Sequence, residues 1–598
     1  MTTRKPYHGS IRKLVLAFDV GTTCSGISFC ILNPGKIPEV ISVTRFPGNN
    51  GILKVPTVIY YDCNGKVQAV GAETMSESVY ESAKAEGWVK SERFKWHIRP
   101  NIPSTRGDTP EIPHLPPNKS VIEVLADFFK YLYRAASDYF KFYYAGLGEE
   151  IWRSVEGDIH FVLPHPNGWA GQQQAKIRKA AVLAQLIPDT AHGYSRISFV
   201  TEGEAYLHFA IEHGLSRGVI EDGEGVIIVD AGKNTIDLSA YCCSTEIGIA
   251  YEEIAATQCL FQGFDFVTIN AKRYLRTLLA NSRYLSQLEY ICQEFDRKTK
   301  LGFMTTAEDQ RIRFGNPSDR DDACGIRSGQ IKLAGPVVAS FFEPSVSAIF
   351  TAVLDQRAHA VKPITHVVMV GGFSSSDWLM QRLRETLIPH GFTIFCPEGN
   401  FKAVSNGAVS FHLDHFVSTR VARFGYGTSG HVSYNPRNPD HLKRSPLVRM
   451  CSDGGKMYTA GLFQSVTSIY SFSIRQNTAV SEVKEFRARF HVEFDTLSQF
   501  KKTTCKIECY KGLRKEEGRD SMVAMFTILC QVEADLSSCG CITRRQESDG
   551  SGVYYAAFFD LVLLFGLTEF KAQIAWDENL NLSDRSHAEV IYDLDDSI

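Results

Sequence analysis

The sequence has 598 residues, with 64 Lys and Arg against 67 Asp and Glu, a formal net charge of −3. Near-neutrality removes the electrostatic case for general binding to nucleic acid or a membrane surface, so neither partner is expected. With 44% hydrophobic and 22% charged residues the chain fills sizeable cores, global disorder is excluded, and the length allows about three to five domains.

The basic N-terminal residues Arg4, Lys5, Arg12 and Lys13 precede an apolar run, Leu14 to Phe18, that stops at Asp19 and is too short for a signal-peptide core. From Leu14 to Phe29 the pattern is an apolar run, Asp19-Val-Gly21-Thr22-Thr23-Cys24, and a second β-type run: strand, tight turn, returning strand. Loops around 98–118 and a helix over Val121 to Phe142 follow. A strand over Asp158–Pro164, a helix over Gly171–Ile187, a strand over Ile197–Thr201 and a helix over Glu204–His213 come next.

The opening pattern then recurs as Val226-Ile-Ile-Val-Asp230-Ala-Gly232-Lys233-Asn234-Thr235-Ile236-Asp237, continuing to Tyr241. Two copies predict two similar α/β lobes, each opening with such a hairpin. After a helical stretch over Asp265–Thr299, a strand over Thr365–Val370 runs into Gly371-Gly372, followed by a helix from about Asp377 to Leu387 capped by Asp377. This alternation implies mainly parallel sheets with helices on the faces. From about 425 a Gly-, Asn-, Pro- and Ser-rich loop leads to alternating segments, Phe486–Asp495 and Thr504–Tyr510, which predict antiparallel strands. Tyr554 to Leu567, with Asp560 in its middle, falls short of the roughly 18–20 residues that span a bilayer and reads as buried strand. The expected domains are lobe I over 11–215 with an insertion at about 46–154, lobe II over 216–425 with an insertion at about 251–330, and a β-rich domain over 430–598.

An Asp-x-Gly-Thr-Thr turn can offer successive backbone N–H groups and two hydroxyls to a phosphate, with Asp19 facing a Mg²⁺ ion that needs only one or two carboxylates. A single such turn is more simply a tight hairpin, with Gly21 supplying a positive φ and Asp19 capping it. Two copies followed by a strand ending in Gly371-Gly372, where a flat ring can approach the backbone, favour a nucleotide site.

In this order the motifs resemble the actin, hexokinase and 70-kDa heat-shock ATPase superfamily, and within it the heat-shock protein 70 (DnaK-like) family. Val162-Leu163-Pro164, Thr201-Glu202-Gly203-Glu204-Ala205 and Lys402 to Ala408 are further matches, and the resemblance covers about residues 11–425. Ser418 to Gly427 and Leu563 to Trp576 look like the atypical branch that is numerous in fungi and lacks the usual peptide-binding domain. The resemblance implies a two-lobed actin-like ATPase fold with ribonuclease H-like lobes, followed by the smaller β-rich domain. It implies ATP or ADP with Mg²⁺ as cofactors, phosphate contacts at Gly21, Thr22, Thr23, Gly232, Lys233, Asn234 and Thr235, and metal held through water by Asp19 and Asp230. Glu202 and Asp237 would position the attacking water. Glu294, Arg297 and Lys298 would contact adenosine together with Gly371 and Gly372. For the family's catalytic lysine, Lys95 is the first choice and Lys90 the second, although a solvated helix face accounts equally for either.

Departures stand out against this pattern. Lys233-Asn234 replaces two glycines, with Asn tolerating a positive φ and Lys233 either binding phosphate or pointing outward. Cys24 stands where the family has an aromatic, and Phe373 and Ser375 replace small and basic residues. Fifteen scattered cysteines suit a reducing cytoplasm or nucleus. Of Cys505, Cys509, Cys530, Cys539 and Cys541, a zinc site is one reading, but Cys505 and Cys509 flank Ile507 on one strand face, as buried cysteines do. The functional expectation is an ATP-binding, slowly hydrolysing heat-shock-70-like protein. The alternative is a pseudo-ATPase scaffold whose last domain binds a protein partner.

Overall fold

The computed structural model describes residues 4–99, 113–167, 169, 171–213, 223–244, 250–397, 402–422, 425–428, 431–437, 442, 448–450, 456–459, 479–481, 485–510, 526–537, 542–550, 552–564, 571–576 and 590–591. The chain divides into two compact units, residues 1–169 with 176–418, and residues 170–175 with 419–598.

The first unit holds two sheets of matching order. In one, β1 (Lys13–Val20) pairs antiparallel with β2 (Cys24–Leu32), which is edged by the short strands β3 (Ile41–Ser42) and β4 (Val55–Pro56). On its other side β1 runs parallel to β5 (His160–His165), and β5 to β6 (Ile197–Thr201). In the second sheet β7 (Gly225–Ala231) pairs antiparallel with β8 (Ile236–Ser244), and β8 with β9 (Ala250–Leu260). β7 also runs parallel to β10 (Ile364–Val370), and β10 to β11 (Thr393–Phe395). The sheets are thus mixed rather than mainly parallel. A turn of three or four residues, Gly21–Thr23 or Gly232–Thr235, joins only antiparallel neighbours, whereas the parallel neighbours arrive through long crossovers.

Each sheet faces its own core. Leu14, Leu16 and Phe18 of β1 are buried with α1 (Val121–Tyr143), where Phe18 lies 6.2 Å from Phe129 and 5.7 Å from Phe161 between ring centres. Ser120 and Glu123 close a reciprocal capping box at the start of α1. The second core packs Ile227 and Val229 of β7 against α3 (Phe264–Leu278) and α4 (Gly335–His359). Among the described residues, α4 is the helix long and apolar enough to cross a membrane, and Val338, Phe342, Val346, Ile349 and Val353 bury it in this core. The helix expected over 265–299 is broken: α3 ends at Leu278, Ser282 caps a short 3₁₀ turn, and a π-helical turn spans Phe295–Thr299.

Two helices run close together between these sheets and the site. α2 (Glu202–Glu212) packs on α6 (Ala403–Asp414), and a Cβ at Gly407 would lie 1.8 Å from the Ala205 carbonyl oxygen, so only glycine permits the approach. α5 spans Asp377–Leu387, but its cap is Ser376, whose hydroxyl accepts from the Leu379 N–H; Asp377 is the first helical residue.

The second unit is β-rich and antiparallel. β12 (Glu485–Phe494), β15 (Ile542–Gln546) and β17 (Lys571–Ala575) all pair with β16 (Val553–Leu564). A second sheet pairs β13 (Thr503–Tyr510) with β14 (Phe526–Ala534). Phe559 and Leu561 of β16 join Ile507 and Val532 in one core, while Asp560 points the other way toward Arg489. The period of two thus explains an acid in the middle of an apolar strand. Burial pushes the Cys505 thiol up to about 11, as in an apolar setting; the side chains of Cys509 and Cys530, and Cys539 and Cys541 altogether, lie outside the described residues.

The rings of His160 of β5 and His412 of α6 lie 4.3 Å apart in the first unit, tilted by 39°. Burial, with neighbouring positive charge, lowers His160 to about 4 and His412 to about 3. Both rings are therefore neutral when folded, whereas the unfolded chain takes up protons from its ordinary value of 6.5 downward, so stability falls as pH drops from 6.5 toward 4. Urea unfolding at pH 7 and pH 5 should show His412→Phe losing on the order of 1–2 kcal/mol less than the wild type over that interval.

Candidate functional site

Glycines shape both hairpin turns by close approach. A Cβ at Gly21 would lie 2.3 Å from the Cys24 carbonyl oxygen, and one at Gly232 would lie 3.0 Å from that of Thr235. Neither glycine has a positive φ, and neither Lys233 nor Asn234 does, so Lys233-Asn234 fits without the left-handed backbone that two glycines would permit. Gly371 is different: its φ is +82°, and a Cβ there would lie 2.3 Å from the Asp230 Oδ1 atom. At Gly372 a Cβ would meet nothing within 4 Å, so this turn opens outward.

Asp230 of the second hairpin interacts electrostatically with Glu202, Asp237 and Asp19, so four carboxylates from the two hairpins and α2 share one acidic region. Asp19 sits near the end of β1, Asp230 near the end of β7, Asp237 at the start of β8 and Glu202 at the first turn of α2. Burial first, then Glu202 and Asp237, push the Asp230 carboxyl well above the usual carboxylate range. Burial and Glu202 push Asp237 up to about 6, despite its bonds to Thr235 and to the Asn167 N–H at 3.1 Å. Two lysines oppose this negative charge. Lys95 places its Nζ 2.8 Å from the Glu202 Oε1, largely buried, with the Trp169 ring 5.4 Å away. Lys54 places its Nζ 3.0 Å from the Asp19 Oδ2. Burial works against the Lys54 ammonium, but the charge and hydrogen bond of Asp19 outweigh it and hold its pKa above the ordinary lysine value.

Lys54 and Tyr206 are residues that sequence reasoning missed. Tyr206 lies on α2, and burial together with Asp230, Asp19 and Glu202 pushes its phenol well above the usual range, while its oxygen bonds to the backbone of Gly371. No local motif marks either residue, since Lys54 is a lone loop lysine and Tyr206 reads as a core position of an amphipathic helix. Lys90, by contrast, is exposed and pairs with Glu92.

The substituted second turn has its own partners. The Lys233 Nζ lies 3.8 Å from the Asp265 Oδ1, and the Arg93 guanidinium forms an ion pair with the Asp265 Oδ2 at 3.3 Å. With the Asn234 amide oriented to suit its neighbours, it donates to Asp265 at 2.9 Å and accepts from the Trp96 indole N–H at 2.7 Å. Backbone bonds from Phe264 and Asp265 to the Gly232 and Lys233 carbonyls tie the turn to the start of α3. Lys233 therefore leans on Asp265, and the Arg93–Trp96 segment of the first sheet's side reaches across to the second hairpin. The segment also carries Lys95, so its three side chains engage both Glu202 and the second turn.

The adenosine residues named by motif are not gathered in the same way. Glu294 takes Arg297 at 2.7 Å and Lys298 at 3.1 Å, one helical turn satisfying its own charges, with both basic side chains nearly two-thirds exposed. Phe373 is fully buried and stacks on Phe264 at 4.5 Å, which makes it core. Thr22, Thr23 and Thr235 are half-buried on the turns, and Cys24 is exposed.

No protein-family profile matches the sequence. Over 525 residues it is 22% identical to heat shock 70 kDa protein 12A of Mus musculus, a match spanning 74% of this chain and 76% of the mouse protein. The chain is thus distantly similar to a 70-kDa heat-shock protein.

Asp265→Ala leaves Arg93, Lys233 and Asn234 without their shared acceptor. Because the two cations are each about one-third exposed, the loss should be below the roughly 3–5 kcal/mol of a fully buried pair, about 2 kcal/mol in urea unfolding of the free protein.

Proposed function

We propose that this heat-shock-70-like chain binds ATP or ADP with Mg²⁺ between two lobes built on the matching sheets and hydrolyses ATP slowly, in a chaperone-like or regulatory role. The observation that carries the reading is the convergence of Asp19 and Asp230, from two hairpins of the same design, beside a glycine that no side chain could replace without entering the Asp230 carboxylate.

The residues present fit the implied groups. Two aspartates suffice for Mg²⁺ when waters complete its shell, and among the described residues no group of three His, Cys, Asp or Glu forms a direct metal cage, which favours binding through water. Gly372 leaves space beside its Cα for a flat ring. When bound, the metal would neutralise phosphate charge. Thr22, Thr23 and the second turn would hold the phosphates, Asp237 and Glu202 would orient water, and Lys95 would fix the Glu202 carboxylate. Glu294, Arg297 and Lys298 would reach adenosine from their helical turn. The atypical-branch reading rests on the segments around 418–427 and 563–576, of which residues 423–424 and 565–570 lie outside the described set.

A pseudo-ATPase scaffold is the second reading. Its support is the Lys95–Glu202 pair, which occupies a carboxylate needed for water activation, and the Lys233–Asp265 pair, which turns the added lysine away from phosphate. The β-rich unit would then bind a protein partner, in the cytoplasm or nucleus.

Calorimetric titration separates these from no nucleotide role. Wild-type protein should bind Mg-ATP, with Asp19→Ala and Gly371→Arg each weakening it at least about tenfold, or roughly 1.4 kcal/mol; equal affinity in all three would remove the nucleotide reading. A phosphate-release assay should then show turnover above an Asp19→Ala/Asp230→Ala control, and its absence would leave the scaffold.

A further inference from the structure

We propose that Lys54 is a phosphate-binding residue, a fixed cation at the first hairpin that takes over part of the charge neutralisation otherwise left to a divalent ion. The inference rests on the nucleotide reading above and adds a residue that the motif pattern does not contain.

Its placement follows from register. Val55 and Pro56 pair with Ser25 and Cys24, the Thr57 N–H bonds the Thr23 carbonyl at 2.8 Å, and the Ser25 and Thr57 hydroxyls meet at 2.8 Å. Three successive links thus stitch residues 55–57 to the strand that leaves the phosphate turn, which fixes where residue 54 enters. In the hairpin Asp19 stands opposite Gly26. A Cβ at Gly26 would come within 3.9 Å of the Lys54 Cγ and Cε atoms, so the lysine stem lies over the position where a side chain is missing and ends at Asp19. The same position also faces the Ser405 hydroxyl of α6 at 3.5 Å, so the lysine stem runs between the hairpin and that helix.

The ammonium is held by one carboxylate. An ammonium has three N–H donors. Among the described contacts Lys54 directs one to Asp19, and its side chain keeps 26% of its surface exposed while that of Asp19 keeps 5%. Lys95 is the contrast: its side chain is 8% exposed and engaged by Glu202. Of the two lysines in the cluster, Lys54 is the less buried side chain and the one paired to the aspartate that precedes the Gly21–Thr23 turn, where phosphate oxygens would accept its remaining protons. As a point charge on a flexible stem, lysine suits phosphate without demanding the fork geometry of arginine. Asp19 then has two tasks, orienting the ammonium and facing the metal.

The test compares ATP with adenosine, which lacks phosphate, by calorimetric titration of the full chain with Lys54→Met and Lys54→Arg, each with Mg²⁺ and with EDTA. The expected result is ATP affinity at least about tenfold weaker in Lys54→Met, unchanged adenosine affinity, a larger loss on adding EDTA than in the wild type, and recovery of most of the affinity in Lys54→Arg. Wild-type ATP affinity in Lys54→Met overturns the proposal, as does a parallel loss of ATP and adenosine with a lowered melting temperature, which marks a structural lysine. Failure of the wild type to bind either ligand overturns the nucleotide reading itself.

Discussion

Mutual repulsion among Asp19, Glu202, Asp230 and Asp237 is the constraint around which the first unit is arranged. Charges buried this close are unfavourable unless opposed, and each is anchored on a different rigid element: the ends of β1 and β7, the start of β8 and the first turn of α2. Lys54 and Lys95 relieve part of that repulsion by pairing with Asp19 and Glu202. Four carboxylates in this setting make a place where positive charge is stabilised.

The same arrangement accounts for a turn that departs from the heat-shock-70 pattern. Lys233 would add charge beside phosphate if it pointed inward. Instead Asp265 collects Lys233, Arg93 and Asn234, and Trp96 completes the set through its indole N–H. The substitution at the turn and the Arg93–Trp96 segment therefore form one polar network, in which the lysine is accommodated by a buried carboxylate at the start of α3. Because Lys95 lies inside that segment, the position of the Glu202 partner and the position of the second turn are mechanically linked.

Much of this was legible in sequence because it is local. The Asp-x-Gly hairpins occur where the apolar runs predicted them, the strand at 197–201 and the helix at 377–387 match their expected bounds, and the alternating segments of the last unit form antiparallel strands. The helix over 265–299 was overextended because breaks at Leu279 and Ser282 involve no proline or glycine, leaving periodicity as the only signal. The mainly parallel expectation erred by weighing the strand–helix alternation above the hairpins, whose short turns already require antiparallel pairing.

The sequence by itself determined the acidic and glycine residues of the two hairpins, the Gly371 turn and the order in which they appear, since each depends on spacing within a few residues. Tertiary structure alone decided which cations answer them. Lys54 reaches Asp19 because residues 55–57 pair with β2, and Lys233 pairs with Asp265 because α3 begins behind its turn. Backbone turns are written in neighbouring residues, whereas charge compensation is a matter of distance in space, and these partners are brought close by strand register and helix packing.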